Sequence, residues 1–186
     1  MTRCSWVDES SELYTHYHDE EWGKPVHHDT KLFEFLILES FQAGLSWITI
    51  LKKRASFRKA FDNFDYQKIA CYNEDKISLL MQNTSIIRSR QKISAAILNA
   101  QIFMNIQKEY GSFDSYIWHF TDAETVRFNI FPPHSHNELS DIISQDLKRR
   151  GMKYVGSTII YSYLQAIGVI NDHEPECFCA KTQSPS

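Results

Sequence analysis

Chain breakers are scarce in this sequence. Six glycines and five prolines are spread over 186 residues, most of them at the edges of apolar-periodic segments. A sandwich or barrel would need a turn signal roughly every 8–12 residues, so the pattern selects helices. Asp29 can cap a helix reaching about Phe41, with Leu32, Phe33, Leu36 and Ile37 at helical spacing. Ala43-Gly44 interrupts it. Ser46 can cap the next helix, in which Ile48, Leu51 and Phe57 share a face while Lys52, Lys53 and Arg54 cluster nearby. Asn73 caps a short helix ending near Met81, and Asn83-Thr84-Ser85 forms a tight connection to a long helix over about 89–110. Gly111 stands where that helix wants a left-handed residue. Helices at 112–120, 140–150 (stopped by Gly151) and 157–167 complete the set. Positions 121–136, with Pro132-Pro133, read as an irregular loop, and 180–186 as a frayed tail. The expected fold is all-α.

Composition narrows the function classes. Hydrophobic residues at 42% and aromatics at 13% exclude a disordered chain. Mean hydropathy is -0.40, and no apolar run approaches the ~18 residues of a membrane span. Acidic residues follow MTRCSWVDESSE where a signal peptide would be apolar. A cytoplasmic, monomeric protein is the expectation. Twenty Lys+Arg against 23 Asp+Glu leave a net charge of -3, so any nucleic-acid site must be a local basic face. Four cysteines in a reducing compartment are not evidence for disulfides. Three of them crowd the termini and eight histidines accompany them, which makes metal binding worth testing.

Four constellations can carry chemistry. Cys4 and His18 lie near the start, His173 and Cys177 near the end, the latter pair four apart as on one helical face. Two sulfurs and two imidazoles suit tetrahedral zinc with no open position, a staple for the chain ends. Cys179 and His16 compete as ligands on spacing, and buried cysteines with satisfied histidines fit the same residues. Second, Glu39 interrupts the apolar run LILESFQAGLSW; it is either on a solvated face or buried at a cost. With Trp47 beside it, a carboxylate between rings would suit a planar cationic ligand. Third, Trp6, Tyr14, Tyr17 and Trp22 crowd the first 22 residues, either as core or as a base-stacking platform. Fourth, Arg88, Arg90 and Lys92 follow the 83–85 turn, and Lys148, Arg149, Arg150 and Lys153 form a second basic run. A helix N-terminus after a tight turn can hold a phosphate, although taken singly such runs are more often solvated faces.

Taken in order along the chain, these pieces resemble the 3-methyladenine DNA glycosylase I family of the helix-hairpin-helix superfamily. The resemblance rests on R-C-x-W at 3–6, L-Y-x-x-Y-H-D-x-E-W-G at 13–23, L-E-x-x-Q-A-G-L-S-W-I-T-I-L-K-K-R at 38–54, I-I-R-x-R-x-K-I at 86–93, L-K-R-R-G-x-K-Y-V-G at 147–156 and N-D-H at 171–173. It implies a helix-hairpin-helix glycosylase fold in one two-lobed unit. A helical core over about 30–168, with its hairpin near 83–87, would join a terminal lobe of 1–28 and 169–179 stapled by one structural zinc on Cys4, His18, His173 and Cys177. It also implies a base pocket with Glu39 as the catalytic and base-reading carboxylate. Tyr17 and Trp47 would sandwich the base, with Tyr14, Trp6 and Trp22 in the same wall or behind it. Gln42, Gly44 and Leu45 would form a wedge into DNA, with Arg88, Arg90 and Ser162 as further DNA contacts. One departure stands out: Ser85 occupies the place of the usual hairpin glycine, where serine makes a positive φ and close phosphate approach harder.

The implied activity is flipping and hydrolytic release of 3-methyladenine from alkylated double-stranded DNA, with the free base as product. No lysine offers itself as a Schiff-base nucleophile, so no strand cleavage is expected. Two rivals remain on the residues. A non-catalytic DNA-binding module would have no need of a buried carboxylate facing rings. A zinc hydrolase would need an open metal position.

Overall fold

The computed structural model describes residues 1–128 and 135–180; positions 129–134, which hold Pro132-Pro133, and 181–186 lie outside the described residues. The described chain is helical: α1 (Glu12–Glu20), α2 (Asp29–Gln42), α3 (Trp47–Ala60), α4 (Tyr66–Ile69), α5 (Glu74–Gln82), α6 (Arg90–Tyr110), α7 (Phe113–Trp118), α8 (Glu138–Arg149) and α9 (Ser157–Ala166). Its extended pairing is a single parallel bridge between Val126 and Ile170.

Helix α2 sets the architecture. Every residue from Leu32 to Phe41 is buried, as in a helix wrapped on all sides. It packs against α3, α6, α7 and α9. Any carboxylate in this run is therefore taken out of water, which makes Glu34 and Glu39 the two most informative residues on it. A second, smaller apolar cluster joins the termini through Cys4, Val7, Cys177, Cys179 and Ala180.

Several local readings change. His28, not Asp29, precedes α2, and no side chain caps it. The Asp29 carboxylate instead accepts the Phe113 and Asp114 amides at 2.9 and 2.8 Å, satisfying two orphan donors of α7. Ser46 bonds the Thr49 hydroxyl rather than a backbone amide. Helix α8 starts earlier than position 140 because Asn137 caps it reciprocally with Ser140. Asn73, Ser89 and Gly111 sit at the helix ends that the pattern assigned them. Ala180 is buried, and its carbonyl accepts Arg127 at 2.9 Å, so the expected tail does not begin there.

The segment after α1 lies against the end of α9. Gly23 and Val26 donate to the Gln165 and Ile167 carbonyls, each at 3.0 Å. Gly168 makes that crossing possible: its φ is +75°, and a Cβ there would fall 2.3–2.5 Å from the Lys24 and Pro25 backbone. Gly168→Ala is expected to cost at least about 3 kcal/mol, from positive-φ strain plus overlap with unyielding backbone. A urea midpoint lowered at unchanged slope checks it.

Candidate active site and metal centre

The α1, α2, α3 and α9 ends converge on a cavity of about 390 Å³. Helix α1 contributes Tyr14 and Tyr17, α2 contributes Glu39 and Gln42, and Trp47 opens α3. Trp6 and Trp22 close one side and Ser162 another. All five aromatic residues singled out in the sequence therefore line the same space as Glu39. Tyr17 and Trp47 do not form parallel plates: their centroids are 5.5 Å apart and the rings are tilted by 49°. They make a corner, so a flat ligand would stack on one ring rather than slide between the two. The Trp47 indole N–H is buried with no acceptor among the described residues.

Two glutamates on one helix have opposite fates. Glu34 accepts Arg54 at 2.6 Å and Arg58 at 2.8 Å. Burial opposes its ionisation, yet these cations, Arg54 foremost, hold its carboxyl below the usual range. Glu39, only 3% exposed, has no hydrogen-bond or ion-pair partner among the described residues. Burial alone pushes its carboxyl up to about 8 from 4.5. An unpaired buried acid facing a cavity marks a functional site rather than a structural ion pair. Arg54, read from sequence as part of a basic cluster, is buried; it joins α3 to Glu34 and, at 2.8 Å, to Glu21 just after α1. The three helices that carry Tyr17, Glu39 and Trp47 are thus tied behind the cavity.

Behind the aromatic wall lie Cys4, His18, His173 and Cys177, all buried, with ligand atoms within 4.8 Å of one another. Cys4 Sγ is 3.4 Å from His173 Nδ1, and Cys177 Sγ is 3.4 Å from His18 Nε2 and 3.6 Å from His173 Nδ1. Ideal tetrahedral zinc, with Zn–S ≈ 2.3 Å and Zn–N ≈ 2.05 Å, separates sulfur from nitrogen by about 3.6 Å. The donors fit. Their outer atoms are fixed as a metal site requires: His18 Nδ1 meets Asp19 at 2.8 Å, Arg3 grips Asp19 through two nitrogens, and His173 Nε2 meets the Trp22 carbonyl at 3.2 Å. His16 is exposed and outside the cluster. Cys179 groups instead with His18 and Asp19. His173 and Cys177 are not on a helix; a turn with Cys177 donating to the Glu174 carbonyl at 2.8 Å brings them together. Trp6 and Trp22 touch both the cavity and these histidines, with Trp22 4.6 Å from His173 and Trp6 5.3 Å from His18. The cluster therefore buttresses the cavity wall.

The DNA-contact candidates are scattered in type. Gly44 has φ +84° in the turn after α2, and Leu45 at its tip is 39% exposed. Gln42 and Ser162 line the cavity itself. Helices α5 and α6 flank the 83–89 hairpin. Ser85 is not among the positive-φ residues, so serine is unstrained there; its amide is held by the Asn83 side chain at 2.9 Å. Arg90 pairs with Glu74, whereas Arg88 is exposed without an ion pair among the described residues. Arg150 is spent on Asp146 and Glu109 at 2.7 and 2.6 Å, and Arg149 also pairs with Asp146; Arg150 thus ties the end of α8 to α6, and the Asp146 pairs stay within the end of α8.

Comparison with known proteins decides the family. The methyladenine glycosylase family profile matches residues 6–180. The chain belongs to the 3-methyladenine DNA glycosylase I family. DNA-3-methyladenine glycosylase 1 of Escherichia coli (strain K12) is 42% identical over 188 residues, covering 100% of both chains. A crystal structure of 3-methyladenine DNA glycosylase I superposes with a TM-score of 0.89 at 44% identity, covering 96% of this chain and 99% of that one. A variant of 3-methyladenine DNA glycosylase I in complex with 3-methyladenine gives 0.93 at 30% identity, covering 99% and 100%. Within this family site, sequence reading missed Ser5, Gln165, Asp172 and Glu174, which also line the cavity. Asp172 is pinned by Tyr161 at 2.5 Å and Gln165 at 2.8 Å. The signal was present in N-D-H at 171–173, where only the histidine suggested chemistry.

Proposed function

We propose that this chain is a monofunctional base-excision repair glycosylase that flips 3-methyladenine out of alkylated double-stranded DNA and removes it by hydrolysis. The observation that carries the reading is Glu39: a buried acid without a partner, facing an aromatic cavity, destabilised until a cation arrives. Methylation at N3 leaves adenine in DNA positively charged and makes it a good leaving group. A strong acid is then unnecessary. Binding energy goes instead into extrusion, stacking on Tyr17 or Trp47, and hydrogen bonds from the base edge to Glu39. Tyr14, Trp6 and Trp22 shape the same pocket. Water adds to C1′ as the C1′–N9 electron pair leaves with the base, cancelling its charge, and water's spare proton goes to solvent. The sugar passes through an oxocarbenium-like state, which a negative Glu39 favours electrostatically.

In this reading Gln42, Gly44 and Leu45 fill the gap left by the nucleotide. Arg88 and Arg90 hold phosphates, with Ser162 beside the extruded strand. Cys4, His18, His173 and Cys177 hold one zinc ion, which supplies stability and no chemistry because four protein ligands close its shell. It staples 1–28 to 169–179 against the helical core in one two-lobed unit. The protein acts as a cytoplasmic monomer without a membrane partner; among the described residues no helix is long and apolar enough to cross one. Incubation with methylated duplex DNA should release 3-methyladenine and leave the strand uncut, with no adduct trapped by borohydride. Release of no base contradicts the activity, and a trapped adduct contradicts the monofunctional mechanism.

A further inference from the structure

Two lysines of the basic segments turn their ammonium groups inward. Lys92, in the first turn of α6, donates to the Phe41 carbonyl at 2.8 Å and to the Ala43 carbonyl at 3.0 Å. These carbonyls end α2, where intrahelical partners run out. Lys92 Nζ also sits 5.9 Å from the centre of the Tyr154 ring. Lys53, on α3, donates to the Ser85 carbonyl at 3.1 Å. Lys92 therefore ties α6 to the end of α2 and the 42–46 turn, and Lys53 ties the hairpin to α3. Within that turn, Leu45 donates to the Gln42 carbonyl at 2.7 Å, and the Gln42 amide donates to the Leu45 carbonyl at 3.0 Å. Open space surrounds Gly44, where an added Cβ would meet nothing within 4 Å. Ser46 fixes the turn's far end on α3 through Thr49 at 2.8 Å, and Lys92 fixes its near end, at Ala43, to α6.

We propose that Lys92 is a positioning residue that braces the 42–46 turn against the hairpin helix, so that seating the hairpin on a phosphate sets the depth of Leu45 in the duplex. The proposal rests on the glycosylase reading. A side chain that stands in for an extruded nucleotide must resist the tendency of the base stack to close. A turn held at Ser46 alone, with its own two bonds, would let its tip bend away. Lys92 transmits the resistance into α6, and Lys53 ties the hairpin to α3, whose first residue is Trp47. Lys92 therefore couples the DNA grip to the pocket without touching DNA.

Lys92→Met keeps the apolar stem and removes the donors; Lys92→Arg keeps donors. In Lys92→Met, amide exchange at 43–46 should rise about tenfold or more while 33–38 stays protected. Affinity for free 3-methyladenine should not change. Excision from methylated duplex should fall on the order of tenfold with excision from single-stranded DNA within about twofold, because only the duplex demands the wedge. Lys92→Arg should restore both, and adding Lys92→Met to Leu45→Ala should slow duplex excision no further, the non-additivity of one shared function. A salt slope of duplex binding reduced by about one would make Lys92 a phosphate contact and overturn the brace. Equal losses on both DNA forms, or unchanged exchange at 43–46, would also overturn it. A wild-type chain that released no base would sink the glycosylase reading, while the exchange measurement would still decide the brace.

Discussion

Replacing Glu39 by glutamine is expected to cripple excision and stabilise the empty protein at once. The two signs come from the same burial. In the unfolded chain this carboxyl titrates near 4.5, in the folded chain at about 8. Below 4.5 it is neutral in both states and costs nothing. Between 4.5 and 8 the unfolded chain sheds a proton that the folded chain retains, so wild-type stability falls by about 1.4 kcal/mol per pH unit; above 8 the loss levels off. Glutamine has no proton to lose. Glu39→Gln should therefore match wild type near pH 4 and exceed it by roughly 3 kcal/mol at pH 7, on the order of 6–12 °C in Tm for a chain of this length. Excision should drop about a hundredfold or more, since an amide cannot supply the charge that a cationic base and sugar require. Wild-type kcat/KM on methylated DNA should climb toward a plateau above pH 8, because it follows the free enzyme's ionised carboxylate. Melting curves from pH 4 to 8.5 beside single-turnover assays check both halves. Equal stability at all pH values would show that Glu39 carries no burial cost.

Removing the zinc proposed for the Cys4, His18, His173 and Cys177 cluster should produce the other large effect. Structural zinc supplies apparent folding free energy on the order of 10–16 kcal/mol in small domains. Part of that would remain here through the apolar core. The cluster joins residues as distant as Cys4 and Cys177, so its loss frees both termini. Burial holds the empty Cys4 thiol up at about 12 and the His173 imidazole down at about 4, so protonated sulfur and neutral nitrogen would be left facing one another. Chelation, or Cys177→Ser, is expected to lower Tm by more than about 10 °C and to loosen Trp6 and Trp22, with base affinity falling in step. The metal content of the purified chain should be one zinc. Loss of excision at unchanged Tm would instead mean an open, catalytic metal.

How much of this could be read without coordinates varies by residue, for physical reasons. The helical class followed from sparse breakers and clear caps, and the 42–46 turn from Ala43-Gly44. Asp29 was legible as a capping residue, but its client is α7, 84 positions away, which no local rule foresees. Lys53, Arg54 and Lys92 read as surface charge because sequence does not say where a long side chain lays its head. Arg54 goes to Glu34, and the lysines go to carbonyls. The two cysteines and two histidines of the cluster were nameable as residue types, yet the shared-face argument for His173 and Cys177 presumed a helix where the chain makes a turn. The Tyr17–Trp47 corner is a matter of tertiary angle. Glu39 was visible as an acid in an apolar run, and burial of α2 from Leu32 to Phe41 turns that oddity into a site.

The carboxyl carbon of Glu39, followed by NMR as pH is varied in the empty and base-loaded protein, tests the central claim most directly. The account predicts a titration near 8 when the cavity is empty, and an ionised carboxylate already at pH 6 when a cationic methylated purine fills it. A Glu39 that titrates near 4.5 in the empty protein, or ignores the base altogether, would contradict it.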